Sequence, residues 1–432
     1  MGQVVNLRAE RLLGPTPSFS NGPAMKTLRF LSIGLLTASL YAQASGPGAK
    51  NIQFLEYPDF PQADSSWGSI GFSSRYNKVY IGVTNHRDRQ GLFEYDVAQK
   101  KLRLCGFIAE MGHLRPFEWQ GKIHTQIVEG PDGAMYFGSD GGESREEDLK
   151  ENPKGYGGGF FFRWDPERQH LTNLGMGLPY EGLKDIAVDH VDGTLLAVSY
   201  PQVHLLQYNV PNNKVTDLGR VGSGHVPRVI FTDRWGNIYY VDWRQRLIKF
   251  EHDTKNLVFS RDSLPAFPGT PGIDIITGIT AWAADAQTGT IYLITYGAKM
   301  LAFHPQQHGI GVVEDLGGIY DDPSRPPYAY YCPNLAYHRN GRLYYFIGGH
   351  GSHAGKLAGT TLMEFDPKTR EKQAIASYPL TVLGEATGSD VKDREGNLYF
   401  AGRRDDPTVT KFGESGGNRP FLIIFNPEKE IQ

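Results

Sequence analysis

From residue 51 onward the chain alternates apolar and polar positions in short runs with a period of two, the spacing of half-buried strands, and helical periodicity is nearly absent. One unit recurs, a turn pair followed by an aromatic-rich strand. It reads YNKVYIG (76–82), PDGAMYFGS (131–139), VDGTLLAVS (191–199), RWGNIYYVD (234–242), QTGTIYLIT (287–295), RNGRLYYFI (339–347) and REGNLYFAG (394–402). Each copy precedes an apolar strand that ends on an aromatic and a polar residue or proline: LFEYD, FFRWD, LLQYN, LIKFE, LAFHP, LMEFD and LIIFN. Asp-Gly and Asn-Gly between such runs are hairpin turns, and four short antiparallel strands at a period of roughly 40–60 residues predict propeller blades. A single blade cannot bury both faces of its sheet, so blades stack around an axis. The seven copies therefore predict an all-β, seven-bladed β-propeller with four-stranded antiparallel blades. The chain stops soon after FLIIFN, and NIQFLEY (51–57) precedes the first unit with none of its own, so the N-terminal strand is expected to close the ring.

The N-terminus reads differently. Met25, Lys26 and Arg29 precede the apolar stretch Phe30–Tyr41, which is too short to span a bilayer, and Ala42-Gln43-Ala44 offers a small-residue cleavage site. Residues 1–44 are read as an upstream extension plus signal peptide, with translation starting at Met25, and residues 45–432 as a single propeller. A periplasmic or secreted monomer follows, with no membrane association once the signal is removed. Cys105 and Cys332 fall on different blades and are expected as two buried free thiols rather than a disulfide. Within 432 residues, 52 Gly, 27 Pro and 12% aromatics exclude a coiled coil and disorder. The balance of 44 basic against 47 acidic residues supplies no field for a nucleic acid, so an anionic ligand needs a local basic pocket.

Propeller geometry brings the starts of the inner strands and the loops between each second and third strand to one face. The inner-strand starts are read at His124, Lys184, Arg228, Asn334 and Ser389. The loops contribute His86 with Asn85 and Arg87, Ser139-Asp140, Tyr200, Asp242 with Trp243 and Arg244, Tyr296, His350, and Arg403-Arg404. Such a cationic, aromatic-lined funnel suits an anionic carbohydrate, because guanidinium groups fork onto carboxylates and aromatic rings stack on sugars. Removal of a proton beside a uronate carboxylate needs a neutralising cation, a base and an acid. Arg228, helped by Lys184, is the candidate for the first, while His124 and Tyr200 share the other two. His86, Lys184, Trp243, Arg244, Tyr296, His350 and Arg403 are the candidate substrate-binding residues.

Seven tandem units, the export segment, Lys122-Ile123-His124-Thr125 and the Tyr200-Pro201 turn leading to His204-Leu205-Leu206 together resemble the seven-bladed polysaccharide lyases of the ulvan lyase and rhamnose-glucuronate lyase type. The resemblance spans most of residues 51–428. It implies cleavage next to a uronic acid by β-elimination, with histidine, tyrosine and arginine falling on His124, Tyr200 and Arg228. The family's second histidine is expected where this chain has Ser139-Asp140, a departure from the pattern. No cofactor is required for that chemistry. Two structural-metal candidates remain: calcium at the acidic loop Asp140, Glu143, Glu146, Glu147 and Asp148, and zinc at Cys332, His338, His350 and His353. Gly-rich GGHGSHAGK lacks a phosphate-loop ending, and no serine-hydrolase elbow is present. Two other functions compete: a lactonase-like metal-dependent hydrolase, and a non-catalytic propeller that binds glycans or proteins.

Overall fold

The computed structural model describes residues 51–86, 89–141, 157–222, 229–270, 278–348, 357–411 and 414–431, all within the unit Ser45–Gln432. The export segment, Arg228, His350, His353 and the acidic positions 143–148 lie outside the described residues. Strand β1 (Ile52–Glu56) precedes a first blade of β2 (Ser65–Ser73), β3 (Lys78–Thr84), β4 (Gln90–Asp96) and β5 (Lys101–Phe107). A single helical turn, α1 (Ile108–Met111), leads to the second blade, β6 (Lys122–Ile123), β7 (Val128–Glu129), β8 (Met135–Asp140), β9 (Phe160–Asp165) and β10 (His170–Met176). The third is β11 (Gly182–Val188), β12 (Leu195–Tyr200), β13 (His204–Asn209) and β14 (Lys214–Arg220). The fourth is β15 (Phe231–Thr232), β16 (Ile238–Val241), β17 (Arg246–Phe250) and β18 (Leu257–Ser263). The fifth is β19 (Ile279–Ala284), β20 (Ile291–Thr295), β21 (Lys299–His304) and β22 (Val312–Gly318). The chain continues as β23 (Asn334–Tyr337), β24 (Leu343–Gly348), β25 (Gly359–Phe365), β26 (Lys372–Pro379), β27 (Glu385–Ser389), β28 (Leu398–Lys411) and β29 (Glu414–Phe425).

The expected seven four-stranded blades are corrected here. Among the described residues, five blades are sheets of their own, and the remaining strands form one continuous eight-stranded sheet, β1-β29-β28-β27-β23-β24-β25-β26. The cause lies at Asn334. Its amide donates to the carbonyls of both Phe346 (3.0 Å) and Ala386 (2.9 Å), and β23 then pairs in parallel with β27 at Asn334–Gly388 and Leu335–Ser389. At the other edge β1 runs antiparallel to β29, Ile52 opposite Phe425 and Glu56 opposite Phe421.

The repeated turn has a physical basis. Asp233 Oδ1 accepts from the backbone N–H groups of Trp235 and Asn237, while its Oδ2 accepts from the Asn237 amide and the Tyr239 hydroxyl. Asp393 does the same for Glu395, Asn397 and Tyr399. The turn glycine needs a left-handed backbone, φ +79° at Gly133 and +87° at Gly396, which explains the Asp-Gly and Asn-Gly bias.

Apolar side chains fill the spaces between neighbouring sheets. Tyr80 and Leu92 of the first blade meet Phe137 and Phe162 of the second, and Phe161 of the second meets Leu183 and Leu206 of the third. On the closing side, Val79, Ile81 and Phe93 pack against Tyr399, Leu422 and Ile424 of the eight-stranded sheet. Full burial of such side chains contributes about 1.5–3 kcal/mol each, so the stack itself is the core. Cys105 and Cys332 are both free; Cys332 is buried, but Cys105, on the outer strand β5, is only half-buried, which corrects the expectation of two buried thiols. Burial pushes both thiols up to about 12, so neither is a nucleophile.

Candidate functional site

A funnel opens at the end of the inner strands where β2, β11, β19, β23 and β27 begin. It is lined by Trp67, His124, Gln126, Lys184, Asp185, Thr280, Tyr331, Glu385 and Ser389, among others. Irregular strand pairing aims these residues inward. Pairing of β2 with β3 jumps between Ser66 and Ile70, of β11 with β12 between Leu183 and Asp185, and of β19 with β20 between Ile279 and Ala281. The skipped residues include Trp67, Gly68, Lys184 and Thr280, all on the funnel wall. Bulges re-aim side chains in this way. His124 sits in the break between β6 and β7, where side chains replace the ladder: Thr125 Oγ1 accepts from Gly138 N (2.8 Å), and Asp185 Oδ1 from Gln126 N (2.8 Å).

His124 Nδ1 lies 2.8 Å from the carbonyl oxygen of Lys184. A carbonyl only accepts, so Nδ1 carries the proton of the neutral ring and Nε2 is the basic nitrogen. The His124 ring stacks on Trp67, centroids 5.8 Å apart and 20° from parallel. Lys122 Nζ and the Arg403 guanidinium approach the same indole at 4.6 and 5.0 Å, and the His86 ring meets it edge-on at 5.7 Å. Lys184 Nζ pairs with Asp140 Oδ2 at 2.5 Å, lies 4.8 Å from the Tyr200 ring centroid, and shares Asp140 with Lys122 at 3.9 Å. His86 Nδ1 contacts the buried Asp64 at 2.5 Å, and Arg403 pairs with Glu385.

The sequence-predicted residues thus separate. His124, Lys184, Tyr200, His86 and Arg403 come together around Trp67 and Asp140. Arg228 and His350 lie outside the described residues. Trp243 and Arg244 stack on each other at 4.8 Å and do not line the funnel. Tyr296 stands against Tyr331 of the funnel wall, ring centroids 5.3 Å apart. Arg403 is not in a loop but within β28, and Ser389 ends β27 rather than starting it; Glu385 holds the starting position. The cluster around Trp67 is not simply cationic either. Lys122, Lys184 and Arg403 are matched by Asp140 and Glu385, with Asp64 against His86. Sequence reasoning missed Trp67, Glu385 and Tyr331, and the approach of Lys122 to Trp67 and Asp140.

Of the metal candidates, Asp140, Cys332 and His338 are among the described residues. Asp140 is bound by lysine, and Cys332 and His338 flank opposite ends of β23, with Cys332 Sγ donating to Asn334 O at 3.2 Å. Among the described residues Asp189, Asp192 and His252 converge on the face away from the funnel, but Lys255 Nζ already sits among them, 2.5 Å from Asp192 and 3.3 Å from Asp189.

Within the funnel wall, Asp185 ties three blades together. Its oxygens accept from Gln126 N, Gln126 Nε2 (2.8 Å) and Ile230 N (2.9 Å), and the Gln126 oxygen accepts from Trp282 Nε1 (2.8 Å). Burial pushes the Asp185 carboxyl up to about 7, against the opposing N–H donors. A folded value above the unfolded one, about 3.9, gives stability that is complete below pH about 4 and lost as pH rises to about 7. The penalty of Asp185→Asn, followed by urea unfolding at several pH values, is therefore expected to shrink between pH about 4 and 7 and level off above. A penalty independent of pH would contradict the assignment.

No protein-family model and no curated protein sequence matches the chain. Solved structures do. The structure of U3-55K aligns with a TM-score of 0.53 at 12% identity over 88% of this chain and 100% of that one. The WD40 repeats of RRP9 give 0.53 at 10%, over 88% and 99%, and YCF48 from Cyanidioschyzon merolae gives 0.52 at 11%, over 88% and 100%. At such identities the likeness shows the β-propeller fold alone, and it gives no support to the polysaccharide-lyase resemblance.

Proposed function

We propose that this propeller is a glycan-binding protein whose funnel takes a uronate-bearing sugar. The observation that carries the reading is the meeting of Lys122 and Lys184 at one carboxylate oxygen of Asp140, on the same wall as His124. Two ammonium groups that converge beside an imidazole and an aromatic ring suit a ligand carboxylate, whose two oxygens can accept from both. Export through residues 1–44 belongs to the same proposal, and N-terminal sequencing of the exported protein tests it, with a mature start near Ser45 expected.

A second reading, that the bound glycan is also cleaved by β-elimination, has one observation in its favour: the fixed tautomer of His124. Its Nε2 would accept the C5 proton of the uronate. That electron pair forms the C4–C5 double bond as the C4–O glycosidic bond breaks, and the Tyr200 hydroxyl protonates the leaving oxygen. The lactonase reading has no comparable support, since Asp140, Asp185 and Glu385 already accept from lysine, N–H groups and arginine.

Calorimetric titration with a panel of polyuronates tests the proposal. Binding by the wild type, weakened at least ~10-fold in His124→Ala, is expected. Near-ultraviolet absorbance of an unsaturated product, read in the same samples, separates cleavage from binding alone. Failure of every uronate glycan to bind would remove the proposal.

A further inference from the structure

Two large aromatic side chains stand out in solvent on the connections that lead into β6 and β11. Phe117 is 50% and Tyr180 65% exposed. Their places are not arbitrary. Phe117 stands five residues before Lys122 and Tyr180 four before Lys184, in the segments that deliver those two lysines to Asp140. The segments are tied side by side. Gln120 Nε2 donates to Gly158 O (3.0 Å), Tyr180 N to Gly157 O (2.9 Å), and Gly159 N to Glu181 O (2.8 Å). On the inner side, Gln90 Nε2 donates to Gln120 O (2.7 Å) and links the same rim to the first blade.

The Phe117 ring is also held in place. The Arg115 guanidinium lies over it at 4.2 Å, and Glu118 fixes Arg115 through Nε at 3.0 Å and through its backbone N at 2.8 Å. A ring braced in this way on a surface loop loses little entropy when a flat partner stacks on it. Exposed aromatics on the approach to a polar funnel are the surface that sugar rings cover with their C–H faces, while charged and hydroxyl groups meet the lysines below.

We infer that the ligand is a chain of several sugar rings rather than a single sugar, and that Phe117 and Tyr180 are stacking platforms for the rings outside the funnel. This rests on the glycan-binding reading and adds the class of ligand. Affinity then rises with chain length until the outer rings reach the two aromatics, and two stacking contacts account for roughly tenfold.

The test compares β-glucuronate oligomers of two and of six rings on the wild type and on the Phe117→Ala/Tyr180→Ala double variant. The wild type is expected to bind the hexamer roughly tenfold more tightly than the dimer. The double variant is expected to bind the dimer as the wild type does and to lose the gain for the hexamer, whereas Tyr180→Trp keeps it. Both aromatics are exposed, so an unchanged melting temperature accompanies these results. Equal affinity of the wild type for dimer and hexamer, or a length-dependent gain that survives in the double variant, overturns the inference and leaves the glycan-binding reading standing. Failure of both oligomers to bind overturns the two together.

Discussion

Asp140→Ala is expected to lower the unfolding free energy by about 3–5 kcal/mol, the cost of breaking a buried ion pair by removing one member. Asp140 is fully buried at the end of β8, and its Oδ2 serves both Lys184 at 2.5 Å and Lys122 at 3.9 Å. The two lysines are themselves almost wholly inside, so the variant removes a buried anion from beside two nearly buried ammonium groups. Adding Lys184→Met to Asp140→Ala removes one of the two charges that Asp140 faces and is expected to recover a substantial part of the loss, whereas additive losses would show that Asp140 acts through packing rather than charge. Urea unfolding of wild type, both single variants and the double variant closes the cycle.

Gly71→Ala is expected to cost about 3 kcal/mol, at the upper end of overpacking, because the obstacle is backbone. A Cβ on Gly71 would overlap the carbonyl oxygen of Ile127, where β2 of the first blade passes the inner strand of the second. The Ile127 N–H points at Ile70 O across the same gap, so neither strand has room to withdraw. Gly68, three residues earlier on the funnel wall, is the control. Nothing lies within 4 Å of a Cβ placed there, and Gly68→Ala is expected to stay within about 0.5 kcal/mol of wild type. Equal melting temperatures for the two variants would contradict the close approach of the first two blades.

The propeller was readable from the turn chemistry, because the Asp cradle and left-handed glycine that build each first hairpin leave a direct trace in residues such as Asp233, Gly236 and Asn237. The number of separate blades was not. Counting turns says nothing about whether neighbouring inner strands pair, and Asn334 joins β23 to β27 through side-chain hydrogen bonds that carry no periodic signal. At the site, His124, Lys184 and Tyr200 could be placed because ring topology alone brings their positions to one face. Trp67 could not, since it lies in the irregular stretch between Ser66 and Ile70, where the period of two fails. Glu385 was overlooked for a related reason: the inner strand of its unit starts four residues before the position read as its beginning, Ser389. Arg403 reads in the sequence as a substrate-binding cation, yet the fold matches it with the carboxylate of Glu385.

The most direct test of the account is a crystal structure of the protein with a uronate oligosaccharide. The account predicts a uronate carboxylate beside Lys122 and Lys184, with its ring next to His124 and the chain leaving toward Phe117 and Tyr180. Density for the sugar at the opposite mouth, against Trp282 and Lys392, or at the outer edge of a blade, would contradict it.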